Sequence, residues 1–158
     1  MRILAVVVCL LALTACSEPR ACTLIAARAG IGLEIALPAV RSAALEVCWD
    51  GTCVKPGTVL SPATTNGPET CSGTGPDAVC GVPALPAAGL TGFADLTTLP
   101  AKAVAVKLTL TDAAGAVLLD ETVTVTPKLV HPNGEGCGGE AAQAGLEVSA
   151  AGVVTERG

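Results

Sequence analysis

His131 is the only histidine in the chain, so serine–histidine or cysteine–histidine catalysis would have to run through it. It follows a β-like run and precedes Pro132-Asn133, which reads as a surface loop rather than a catalytic base. No Gly-x-Ser-x-Gly elbow, Ser-x-x-Lys or His-Glu-x-x-His is present. Asp120-Glu121 is the only adjacent pair of acids. Neighbours on a strand point to opposite faces, so the pair cannot flank one glycosidic bond unless a bulge re-aims it. Glu69 and Asp77 could touch a calcium ion but lack the spacing of a ligand loop. These residues define neither a catalytic set nor a cofactor site.

The remaining reactive groups are eight cysteines. Cys48 and Cys53 are separated by four residues and Cys71 and Cys80 by eight, which are not the close Cys-x-x-Cys pairs of zinc ribbons or dithiol redox centres. Disulfides are therefore favoured over a metal. Cys9 falls in an N-terminal targeting segment, described next, and Cys16 ends it. That leaves Cys22, Cys48, Cys53, Cys71, Cys80 and Cys137 as disulfide candidates, an even number suited to an oxidising compartment outside the cytoplasm.

The first fifteen residues, MRILAVVVCLLALTA, combine one cation at Arg2 with an apolar run and two small residues before Cys16. A spanning helix needs about 20 apolar residues, and this run is roughly half that. It reads as a removed signal peptide. Leu13-Thr14-Ala15-Cys16 resembles the lipobox of bacterial prolipoproteins, in which a branched apolar residue and two small ones precede the cysteine that is acylated. The resemblance implies cleavage before Cys16, a lipid on that cysteine, and an extracytoplasmic protein held on the cell membrane. Residues 16–21 form a short tether, and 22–158 read as a single domain.

Without the leader the chain has eight Lys/Arg against fourteen Asp/Glu, a net charge near −6. Nucleic acid and anionic head groups want clustered cations, so neither is expected as a partner. Trp49 and Phe93 are the only aromatic residues. Ring-based recognition of sugars, bases or hot-spot proteins is correspondingly disfavoured, and the core must be aliphatic.

The elements that would position these residues are strands. Ile31, Leu33, Ile35 and Leu37 alternate with polar or small residues up to Pro38. Leu45, Val47 and Trp49 mark a second strand, followed by Asp50-Gly51, a strong two-residue hairpin signal. Centring the turn there sets Trp49 opposite Thr52 and Cys48 opposite Cys53, at a separation a disulfide accepts. The alternative is that each reaches Cys71 or Cys80. Val54 to Leu60 would return along the second strand, interrupted at Pro56-Gly57. Residues 61–100, dense in Pro, Gly, Thr and Ser, read as one long irregular segment that Cys71 and Cys80 would tie down if they pair with each other.

Val104, Val106, Leu108 and Leu110 give the clearest alternation, and Asp112 to Gly115 makes the turn. In the partner strand Glu121 falls in the register of Val117, Leu119, Val123 and Val125, so a bulge or a sheet crossing is expected at Asp120-Glu121. Residues 127–139 read as a loop, 141–145 as room for one helical turn, and Leu146 to Glu156 as a last hairpin. About seven strands with no convincing helix predict an all-β, antiparallel β-sandwich stapled by disulfides, immunoglobulin-like in topology.

Three further stretches are similar to small exported lipoproteins of high-GC Gram-positive bacteria: Cys22-Thr23-Leu24-Ile25, Val47 to Cys53, and Pro132 to Gly139. That resemblance implies a location and a fold but no catalytic residues. The expected function is a non-catalytic binding or structural module engaging an envelope protein or component, since sandwiches carry binding in their loops. The second expectation is a small exported enzyme or a protease inhibitor presenting the Cys71–Cys80 loop.

Overall fold

The computed structural model describes residues 21–157; Cys16 and the lipobox Leu13 to Cys16 lie outside them. The chain forms two packed sheets and a small third pair, an all-β sandwich as expected. Among the described residues there are twelve strands rather than about seven.

β1 (Gly30–Ile35) is central to the first sheet because its alternating apolar residues have a partner on each side. It runs parallel to β11 (Ala141–Val148) and antiparallel to β7 (Ala84–Asp95). β4 (Thr58–Asn66) closes one edge of this sheet on β7. The other edge is shared by β10 (Lys128–Val130) and β12 (Val154–Arg157), which pair successive stretches of β11. The second sheet runs β3 (Thr52–Val54), β2 (Ser42–Trp49), β8 (Val104–Thr111) and β9 (Val117–Val125). An immunoglobulin sheet holds the first two strands together. Here β1 and β2 lie in opposite sheets, so the strand order departs from that arrangement.

The core is aliphatic throughout: Ile31, Leu33, Ile35, Leu45, Val47, Val104, Val106, Leu108, Leu110, Val125, Leu146 and Val148 are all buried, with no aromatic ring among them. Leu96 and Leu99 add to it from the loop after β7, and Leu96 is fixed there by its N–H bond to the Ala29 carbonyl. The hairpin register is the expected one, Trp49 with Thr52 and Cys48 with Cys53. Asp50 and Gly51 both take positive φ, 49° and 76°, and Lys102 reaches both Asp50 carboxylate oxygens at 2.6 and 2.7 Å.

Several expectations are corrected. The returning strand expected from Val54 to Leu60, interrupted at Pro56-Gly57, is two strands of different sheets, because Lys55-Pro56-Gly57 carries the chain from the second sheet to the first. Residues 61–100 are not irregular: most of them lie in β4, β5 (Thr70–Ser72), β6 (Val79–Gly81) and β7. At Asp120-Glu121 the ladder is unbroken, and the register shift falls at Leu110/Thr111, where the pairing passes over Leu118. Glu121 stays in register because β9 is an edge strand and leaves it exposed. Residues 141–145 form the start of β11 rather than a helical turn, since small residues fit a strand flanked closely on both sides. The 127–139 loop contains β10.

Gly89 marks the point where β7 leaves the sandwich. Beyond it, toward the chain's earlier residues, β7 pairs only with β4; after it, Leu90 to Asp95 pair with β1 as well. Its φ is +96°, and a Cβ there would lie 2.5 Å from the carbonyl oxygen of Ile35, the last residue of β1. Gly89→Ala is expected to cost about 1–3 kcal/mol, seen as a lower unfolding midpoint, because it combines left-handed backbone with a main-chain clash. An unchanged midpoint would show that the bend relaxes freely.

In three of the ion pairs at the surface the carboxyl is held below its ordinary pKa. A hydrogen bond from Lys55 holds Glu46 below the ordinary carboxylate range, Arg28 does the same for Asp95, and Thr109 with Lys107 does so for Asp120. Carboxyls depressed in the folded chain stabilise it above their unfolded pKa, and that contribution disappears as pH falls through the folded value. A decrease in the urea midpoint is therefore expected as pH falls below the ordinary carboxylate range, from about pH 4.5 downward, and it should shrink in high salt. A midpoint flat across that window would refute the coupling.

Candidate functional site

No residue from Asp50 to Phe93 is buried, although most of this stretch is strand. Thr58 pairs with Ala94 at the sandwich, Asn66 with Ala84 further out, and Thr70 with Gly81 beyond that. The Gly67 N–H bonds the Pro83 carbonyl at 2.8 Å and joins the two ladders. The result is one long two-stranded arm, turned at its tip by a 3-10 turn over Gly75–Asp77.

A two-stranded ribbon without a core is marginal in water. Here the Cys71–Cys80 bridge closes it at a directly paired position, with Cα atoms 4.0 Å apart. Main-chain pairing needs no apolar alternation, so small and polar residues suffice to build the arm, and Pro83, which has no N–H, contributes by its carbonyl. Its exposed surface carries Val79, Val82 and Leu85, and its only charges are Glu69 and Asp77, with no cation between Lys55 and Lys102. Chemically this is a rigid contact surface, apolar with a weakly acidic tip.

The other predicted residues do not gather around it. Cys48 bonds Cys53, as the hairpin geometry favours. Cys22 bonds Cys137 across 115 positions and ties the N-terminal segment to the loop before β11. Glu46 with Cys48 and Cys53, and Glu69 with Cys71 and Cys80, bring possible ligand atoms within 4.8 Å, but sulfurs in disulfides offer no thiolate to a metal. His131 Nδ1 lies 3.8 Å from Glu140, at the start of a turn in which its carbonyl accepts the Gly134 N–H. Asp120 is engaged by Thr109 and Lys107 across the ladder, and Glu121 opposes Leu108.

Two constellations were not anticipated. Asn133 donates from Nδ2 to the carbonyls of Ile25 and Gly138, at 2.7 and 3.0 Å, while its Oδ1 accepts from the Ile25 N–H and the Thr23 hydroxyl. The Asn133-Gly134 dipeptide signals only a turn; what it clasps lies 108 residues away. Arg28 lies over the Phe93 ring, 4.6 Å from its centroid, and pairs with Asp95. No sequence signal links those three.

Fold and bridges together define a class: a disulfide-stapled all-β domain of the oxidising, extracytoplasmic kind. No helix among the described residues is long and apolar enough to cross a membrane. Comparison with protein families, with curated proteins and with solved structures finds no match to the chain.

Proposed function

We propose that the protein is a lipoprotein, anchored to the cell membrane through Cys16, that acts as a non-catalytic binding module and engages an envelope component with its stapled arm. The observation that carries this reading is the arm itself. From Thr64 to Pro86 no residue is buried and no apolar side chain packs against the core, yet these residues are held in order by paired strands and a bridge. Ordering a chain costs about 1–2 kcal/mol per residue. An ordered segment that adds nothing to the core is therefore best understood as a surface kept ready for a partner, since preorganisation lowers the cost of association. The lipobox supports the anchor, and the three bridges agree with a location outside the cytoplasm.

The test is affinity capture from native envelopes with the full lipoprotein and with a variant whose residues 67–83 are replaced by a two-residue Asn-Gly turn. The expected result is a component bound by the parent and at least about tenfold more weakly by the variant, the scale of losing one hot-spot side chain. Recovery of the same components by both proteins would overturn the assignment of binding to the arm.

A further inference from the structure

We infer that the opposite end of the domain rests on the lipid surface, with Leu24 and Ile25 in contact with the acyl-chain boundary. The inference rests on the anchor proposed at Cys16. It also fixes which way the domain faces.

Leu24 is fully exposed and Ile25 more than half exposed. Both lie in a segment fixed on either side. Cys22 is bonded to Cys137 before them; after them the Ala27 N–H bonds the Gly139 carbonyl at 2.8 Å, while Asn133 grips Ile25 by both its main-chain groups. Two consecutive apolar side chains are thus held out from the domain by a segment that is itself pinned. Leu129, half exposed on β10, lies near the same end, because β10 pairs with the first residues of β11.

The tether selects the occupant. Cys22 follows Cys16 by six positions, which span at most about 22 Å of extended chain, so this end cannot stand far from an acylated Cys16. The strand directions then place the arm far away. β1 runs away from the clasped segment, and β7 pairs with it so that Asp95 is level with Gly30 and Leu90 with Ile35. From Asp95 to Leu90 the ladder therefore leads away from the clasp, and past the bend at Gly89 it continues to Cys80 without pairing with β1 again. The apolar pair therefore lies where the bilayer is, and the arm lies where it is not.

The experiment uses the full lipidated protein reconstituted into phosphatidylcholine–phosphatidylglycerol vesicles, with native Trp49 as the common baseline. Leu24→Trp is expected to add emission shifted to the blue and quenched about twofold by lipids brominated within ~10 Å of the head-group boundary, the depth an interfacial side chain reaches. Leu85→Trp, on the arm, is expected to add emission that brominated lipid does not quench. If Leu24→Trp carries the lipid mass and floats with the vesicles but is not quenched, the contact is overturned and the anchor stands. A blue shift without quenching overturns it too, in favour of contact with a second copy of the chain. A protein that neither carries lipid nor floats removes the anchor and this inference together.

Discussion

Replacing Cys22 and Cys137 together with alanine is expected to lower the unfolding free energy by about 5 kcal/mol, the largest effect of any bridge in the protein. A disulfide stabilises mainly by limiting the unfolded chain, and the benefit grows with the loop it closes. Cys22–Cys137 spans 115 positions, Cys48–Cys53 five and Cys71–Cys80 nine. On the same relation, Cys48→Ala with Cys53→Ala should cost about 2 kcal/mol. The arm bridge should behave differently. No buried residue couples the arm to the core, so losing Cys71–Cys80 should open the arm locally and leave sandwich unfolding nearly unchanged. Denaturant titrations of the three double variants, with amide exchange on the arm, separate these outcomes. Equal losses from all three would refute the loop-length ordering, and a large global loss from the arm bridge would refute the arm's independence.

Leu108→Ala is expected to destabilise the sandwich by about 3–5 kcal/mol. Leu108 is fully buried on β8, between β2 and β9. It opposes Leu45 on one neighbour and Glu121 on the other. The surrounding side chains are short and branched, held on hydrogen-bonded strands, and no flexible methionine or large ring lies among the buried residues to fill the space. The cavity should therefore persist, which is the condition for the upper part of the range. Leu85→Ala on the arm removes the same atoms from an exposed site and should change stability by less than about 0.5 kcal/mol. Similar losses at the two positions would mean that the arm shares the core, and the binding role proposed for it would lose its physical basis.

Where a strand buries one face, its residues announce it. Ile31, Leu33 and Ile35, then Leu45 and Val47, then Val104 to Leu110 all fall in the core as their alternation indicates. Asp50-Gly51 set the β2–β3 register, and with it the Cys48–Cys53 bridge. The last hairpin, β11 with β12, was legible from its turn at Ala150 to Gly152. The arm was not legible, because neither of its faces is buried and the alternation that marks a strand never develops along it. The first half of β11, Ala141 to Gly145, was hidden for the opposite reason: its small residues lie between close neighbours, and Ala-Ala-Gln-Ala has no period to read.

By itself, then, the sequence determined the all-β class, the aliphatic core, the local hairpins and the cysteine framework, because each follows from patterns within a few residues of one another. Tertiary structure decided the rest. It brought Cys22 to Cys137 and Asn133 to Ile25. It set β1 beside β11 in parallel. It also sent Thr64 to Ser72 and Val79 to Pro86 out together as an arm. These pairings join residues far apart in the chain through main-chain hydrogen bonds, whose donors and acceptors are the same at almost every position. No residue type along the chain records which partner its backbone will meet.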